Sequence, residues 1–307
     1  MTTTTTSALH RAVEETTDLL TRHYVFPDVA DRIAGILRRR LAEGAYDVED
    51  AEQLGHLVTA DLQSVNGDRH LRLKYHAQEV PTGQGEAVLA GIRRDFDASL
   101  GGVPRLEMLG DGVAVLELAP MLFPVDWAAE RMTAALSLVA PAEALIIDLR
   151  RNRGGDPDLV AFICSYLLDE RTHLITMEWR DGGRSEQSWS LPYVPGARFG
   201  GRKPLYVLTS GDTFSGAEEL AYDLQQLGRA VVVGEVTGGG AHPREGWTVH
   251  PHLEATIPVG RSVNPRSGGN WETVGVQPDV LVPAQDALAR ARELALERLA
   301  AATDADR

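Results

Sequence analysis

The chain has 307 residues, 43% of them hydrophobic, and a formal net charge of -14, which is enough apolar sequence for one large domain or two unequal ones. An acidic chain with no Lys/Arg-rich tract excludes nucleic acid as a partner, and one cysteine, Cys164 inside the apolar stretch LVAFICSYLL, excludes a disulfide framework or a cysteine-rich metal site. No run reaches membrane-spanning length and the opening MTTTTTSALHRAVEE lacks a basic segment followed by an apolar one, so a cytoplasmic protein without membrane contact is expected.

After a threonine tract read as unstructured, apolar residues recur at helical spacing three times: Val13, Leu20, Tyr24; then Ile33, Ile36, Leu37, Leu41; then Leu54, Leu57, Val58, Leu62. This predicts a small helical N-terminal subdomain over residues 1–76. It closes at SVNGDRHLRLKYH, where Asn66 and Gly67 mark a turn and Leu71, Leu73 and Tyr75 alternate as a strand. The segment QEVPTGQGEAV reads as a loop. The remainder, residues 77–307, alternates strands and helices from about residue 104: GVAVLELA, a helix near Trp127 to Val139, ALIIDLR, a helix near Leu159 to Leu168, LITMEWR, PLYVLTS, a helix from Ser215 to Gly228, and RAVVVGEV. Such alternation predicts an α/β core with a partly parallel, largely buried sheet. A last helix presents Leu288, Ala291, Leu294, Ala295 and Leu299 on one face.

Four stretches carry chemistry. In TSGDTFSGAEELAYDLQ, Ser215 stands between a strand and a helix, as a helix cap or as a nucleophile on a sharp turn where free amides favour a developing negative charge. In DLRRNRGGDPD, Gly154 and Gly155 follow a buried strand, as a plain turn or as exposed backbone donors; no Lys-Ser/Thr follows, so this is not a phosphate loop. His70 in GDRHL and Glu272 in GGNWETVGVQPD are structural or catalytic. His250 and His252 alternate along TVHPHLEATIPV, but no third ligand of suitable spacing accompanies them, so no metal and no cofactor is expected.

Together LLTRHYVFPDVADRIAGILRRRLAEGAY, LTADLQSVNGDRHLRL, DLRRNRGG, TSGDTFSGAEELAYDLQ, VVGEVTGGGAHP and VGVQPD resemble the serine-peptidase family of tail-specific (C-terminal processing) proteases, the tricorn core and interphotoreceptor retinoid-binding protein, nearest the retinoid-binding branch. The resemblance implies a ClpP/crotonase-like sheet-and-helix core and leaves no segment for the PDZ domain of tail-specific proteases. It further implies Ser215 as nucleophile, with the amides of Gly216 and of the Gly154–Gly155 turn as oxyanion donors. The lysine base of tail-specific proteases has no counterpart, since Gly240 stands at its place and the only lysines are Lys74 and Lys203. The tricorn-like set is matched instead by His70 as general base and Glu272 as orienting or polarising carboxylate, with Arg69 where that type has a hydroxyl residue. His242 in GGGAHP is the alternative base. The expected function is a serine-type peptidase acting on a peptide or small-molecule substrate. The alternatives are a noncatalytic binder of an apolar small molecule, as in the retinoid-binding branch, or the same site turned to a small metabolite.

Overall fold

The structure, a computed structural model, describes residues 2–80, 86–180 and 183–305. Part of the expected loop QEVPTGQGEAV, residues 81–85, lies outside the described residues. The chain forms two compact units, one of residues 1–89, 177–186 and 242–262 and the other of residues 90–176, 187–241 and 263–307. This division is not a single cut such as the one expected after residue 76.

The first unit begins with α1 (Thr2–His23), α2 (Pro27–Ala42) and α3 (Ala51–Leu62). The threonine tract expected to be unstructured is the first turn of α1, because threonine costs a helix only a few tenths of a kcal/mol per residue and the sequence after it propagates the helix. Pro27 opens α2 where no amide partner is needed, and Asp50 caps α3 by accepting the Glu52 N–H at 3.0 Å. Strand β1 (Arg72–Tyr75) joins two strands from far along the chain, β9 (Arg244–His250) and β10 (Leu253–Pro258), in the antiparallel order β1-β10-β9. Their inward residues Leu73, Leu253, Ala255 and Ile257 close one core with Leu20, Tyr24, Ile33, Leu37, Leu54 and Leu62. Each buried leucine there contributes about 1.5–3 kcal/mol. The stretch holding His250 and His252 is a hairpin, not one strand: β9 ends at His250 and β10 starts at Leu253, and His252 Nδ1 lies 2.9 Å from the His76 carbonyl.

Helix α4 (Glu86–Ala98), which the sequence pattern did not reveal and of which residues 90–98 belong to the second unit, leads to β2 (Arg105–Met108), β3 (Val113–Glu117), α5 (Val125–Val139), β4 (Ala144–Asp148) and α6 (Pro157–Leu167). Then come β7 (Leu205–Thr209), α7 (Gly216–Gln226), β8 (Val231–Gly234), β12 (Val280–Leu281) and α8 (Ala287–Ala305). The sheet order is β12-β8-β7-β4-β3-β2, parallel except for β2, which returns antiparallel on β3. Strands β3, β4 and β7 are buried at every residue because both faces are covered. One face, with Val113, Val115, Ile146 and Leu208, packs on Ala287, Ala291 and Ala295 of α8; α5 and α7 lie against β3 and β8. Three further strands, β5 (His173–Trp179), β6 (Ser185–Trp189) and β11 (Gly260–Val263), are ordered β11-β5-β6. The whole is a mixed α/β fold, as the alternation predicts.

Candidate active site

Strand β7 delivers the chain to Ser215 through a turn tied down by buried Thr213. The Thr213 hydroxyl donates to the Leu149 carbonyl at 2.9 Å and accepts the Ser210 N–H at 3.0 Å, and the Phe214 N–H donates to the Asn152 carbonyl at 3.2 Å. Ser215 then adopts φ 53°, ψ -123°. A non-glycine residue there is strained by about 1–3 kcal/mol and persists only because the surroundings impose it.

The Gly154–Gly155 turn packs directly on this serine. Both glycines have positive φ, 100° and 132°. A Cβ on Gly154 would stand 2.6 Å from Ser215 Cβ, one on Gly155 would collide with the Leu122 carbonyl, and one on Gly216 would lie 2.8 Å from the Gly155 carbonyl oxygen. Only glycine admits this approach. The two turn amides differ: Gly154 N–H already donates to Asn152 Oδ1 at 2.9 Å, whereas those of Gly155 and Gly216 have no acceptor among the described residues. Gly216 is the first residue of α7, where intrahelical acceptors are absent and the helix dipole favours negative charge.

Glu218, which sequence reasoning missed, braces the turn from within. Its fully buried carboxylate accepts the Ser215 N–H (2.7 Å), the Thr237 hydroxyl (2.5 Å) and the N–H groups of Gly239 (2.7 Å) and Gly240 (2.9 Å). Burial pushes this carboxyl up, and the four donors oppose that shift. The readable signal was the Ser-x-x-Glu spacing of a capping box. The glycine loop so held also meets Glu272: Trp271 Nε1–H donates to the Gly240 carbonyl at 2.9 Å, and Ala241 N–H donates to Glu272 Oε2 at 2.6 Å. Thr273 beside it has φ 65°. Ser215, Gly154, Gly155, Gly216 and Glu272 are thus connected within the second unit.

His70 and His242 belong to the first unit. Buried His70 is pushed down to about 4 by desolvation, against the pull of the Asp68 carboxylate and helped by Arg244, His242 and Arg72. Asp68, also buried, accepts the His70 backbone N–H at 3.1 Å, and its other oxygen lies 2.8 Å from His242 Nδ1. Lysine chemistry finds no support: Lys203 donates to the carbonyls of Ala140 and Ala142, and Lys74 is an exposed residue of β1 opposite Glu254. A cavity of about 540 Å³ opens at the carboxyl ends of β4 and β7, lined by Asp148, Arg150, Ser210 and Glu235 but not by Ser215. Arg150 there is committed to Asp148 and to the Ala284 carbonyl.

Residues 113–282 match Peptidase family S41. The chain belongs to peptidase family S41. Residues 3–92 match the N-terminal domain of peptidase S41 in eukaryotic IRBP, and membership makes the protein a peptidase of the serine type. Solved structures of the same fold include a lipoprotein from Streptococcus agalactiae (15% identity, 94% of this chain and 96% of that one, TM-score 0.60). The photosystem II D1 C-terminal processing protease is similar at 15% identity over 92% and 96%, TM-score 0.53. The tricorn protease is similar at 14% identity over 95% of this chain and 37% of its own, TM-score 0.60. Among the described residues of this S41 peptidase, no helix is long and apolar enough to cross a membrane.

Proposed function

We propose that this S41 peptidase cleaves peptide bonds with Ser215 as nucleophile, His70 as general base, Glu272 as an orienting or polarising carboxylate, and the amides of Gly155 and Gly216 as the oxyanion hole. The observation that carries the reading is the strained serine at the start of α7 with two uncommitted amides beside it. Gly154 has a different part, since its amide is spent on Asn152 and its missing Cβ lets the turn approach Ser215. Neutral His70 takes the hydroxyl proton as Ser215 Oγ attacks the carbonyl carbon, and the two amides receive the oxyanion. Collapse of the tetrahedral intermediate breaks the C–N bond, and the imidazolium returns its proton to the leaving amine. Water, deprotonated by the same imidazole, then hydrolyses the acyl-enzyme and restores Ser215. A fixed amide pair stabilises charge that exists only in the transition state, so it acts on kcat.

A fluorophosphonate probe tests the nucleophile: wild type is labelled on Ser215 and Ser215→Ala is not. Folded wild-type protein that stays unlabelled from neutral to alkaline pH would refute an activated serine and favour a noncatalytic binder. His70→Ala is expected to lower kcat by about two to four powers of ten with a smaller change in KM. His242 is the second reading for the base, favoured by its 2.8 Å approach to buried Asp68. Near-wild-type turnover in His70→Ala with a large loss in His242→Ala moves the role there.

A further inference from the structure

The first unit contains a set of buried polar groups around His70 that the peptidase chemistry above does not use. Asp68 is fully buried and sits two residues before His70, taking the His70 backbone N–H on Oδ1 at 3.1 Å. Its Oδ2 accepts the Tyr24 hydroxyl at 2.9 Å and lies 2.8 Å from Nδ1 of His242, whose side chain is itself buried. Asn66 donates to the Tyr24 oxygen at 2.6 Å, so the tyrosine proton is directed at Asp68. Phe26 closes the group, its ring edge-on to His242 at 5.4 Å. These residues come from the end of α1, the turn before β1 and the segment entering β9, and are brought together by the core of one unit.

We propose that Asp68 is a positioning residue for the base: with Tyr24 and His242 it forms a buried hydrogen-bonded chain that fixes His70 through its backbone and places a carboxylate and a second imidazole where both act on the His70 ring. The proposal rests on His70 being the general base. A carboxylate in a dry site favours the imidazolium that forms during proton transfer, and a cationic neighbour opposes it. A ring nitrogen of His70 lies within 4.8 Å of an Asp68 carboxylate oxygen; Asp68 favours the protonated ring, whereas Arg244, His242 and Arg72 oppose it. Asp68 and a protonated His242 therefore act on the ring with opposite signs, while their mutual contact holds both in place. A purely structural network would carry no such sign.

The test is a histidine-selective NMR titration of the full chain, paired with the pH profile of kcat/KM on a fluorogenic peptide. Asp68→Asn keeps the shape and removes the charge; the His70 midpoint should move down by about one pH unit or more, with kcat about three- to tenfold lower and KM little changed. His242→Gln should move the midpoint up. Midpoints that stay put in both variants, or move in the same direction, overturn the proposal. Should Asp68→Asn not fold, His242→Gln decides alone: an upward shift sustains the coupling and no shift overturns it. A displaced NMR midpoint with an unmoved acid limb of activity sustains the network around His70 and removes His70 as the base, so the two readings fail separately.

Discussion

Ser215 is held at φ 53°, a conformation that the fold enforces and serine does not prefer. Replacing it with glycine relieves that strain, so Ser215→Gly should unfold in urea at a higher midpoint than Ser215→Ala, by about 1 kcal/mol, with neither variant labelled by the probe. Equal midpoints would place the strain elsewhere. His70 offers a second residue-level outcome. An ordinary imidazole base gives activity that rises through about pH 6.5, but burial holds this one down to about 4, and the base must be unprotonated. The acid limb of kcat/KM is therefore expected near pH 4, with a plateau across neutral pH. The stability sign agrees: between about 4 and 6.5 the unfolded chain binds the proton and the native one does not. His70's contribution is complete above about 6.5 and is lost as pH falls toward 4.

Helix α7 carries more than its first residue. Glu218 ties its start to the glycine loop, and the next residue Glu219 and, one turn on, Asp223 lie inside the unit, with Glu219 Oε1 and Asp223 Oδ2 lacking hydrogen-bond partners among the described residues. Burial pushes Glu219 up to about 8, with Asp156 and Asp158 adding to the rise, and burial followed by Glu219 pushes Asp223 up as well. Asn264 supports Asp223 with one 3.1 Å hydrogen bond. An acid whose native value is raised binds its proton more tightly when folded, so its contribution is present below the ordinary value near 4.5 and is lost as pH climbs toward 8. Glu219→Gln should therefore flatten the fall of Tm between pH 5 and 8.5, raising Tm at the alkaline end more than at the acid end. A variant whose Tm falls with pH as steeply as wild type would show that Glu219 is not the titrating group. At the same scale, Glu218→Gln sets an amide NH2 among four donors and is expected to cost about 2–4 kcal/mol in urea unfolding, together with a loss of kcat.

Over the whole molecule, the two units are built from interleaved segments, and the N-terminal helices are completed by strands from residues 244–258. A fragment of residues 77–307 retains Leu253, Ala255 and Ile257 but lacks the helices and β1 that cover them. Its β9–β10 hairpin is expected to exchange amide hydrogens and be proteolysed at least tenfold faster than in the full chain, because an isolated hairpin is marginal in water. Full protection of residues 244–258 in that fragment would restore a simple boundary after residue 76.

Local pattern determined α1 beyond its threonine tract, the helices α2, α3 and α5 to α8 and the apolar strands β3, β4, β7 and β8, because helix and strand faces repeat within a few residues. The same locality marked Ser215 between strand and helix, and the joined motifs carried the family. It did not mark α4, whose start at Glu86 falls within the glycine-containing stretch QEVPTGQGEAV that reads as a loop, nor the hairpin that separates His250 from His252. Only the tertiary structure decided which glycine amide is spent and which is uncommitted, since that depends on Asn152 and Leu122 around the turn. It alone set Asp68 against His242, 174 residues apart, and Glu218 against the loop at Gly239 and Gly240. A buried carboxylate is chosen by its hydrogen-bond partners, and those partners are neighbours in space with no periodic trace in the chain.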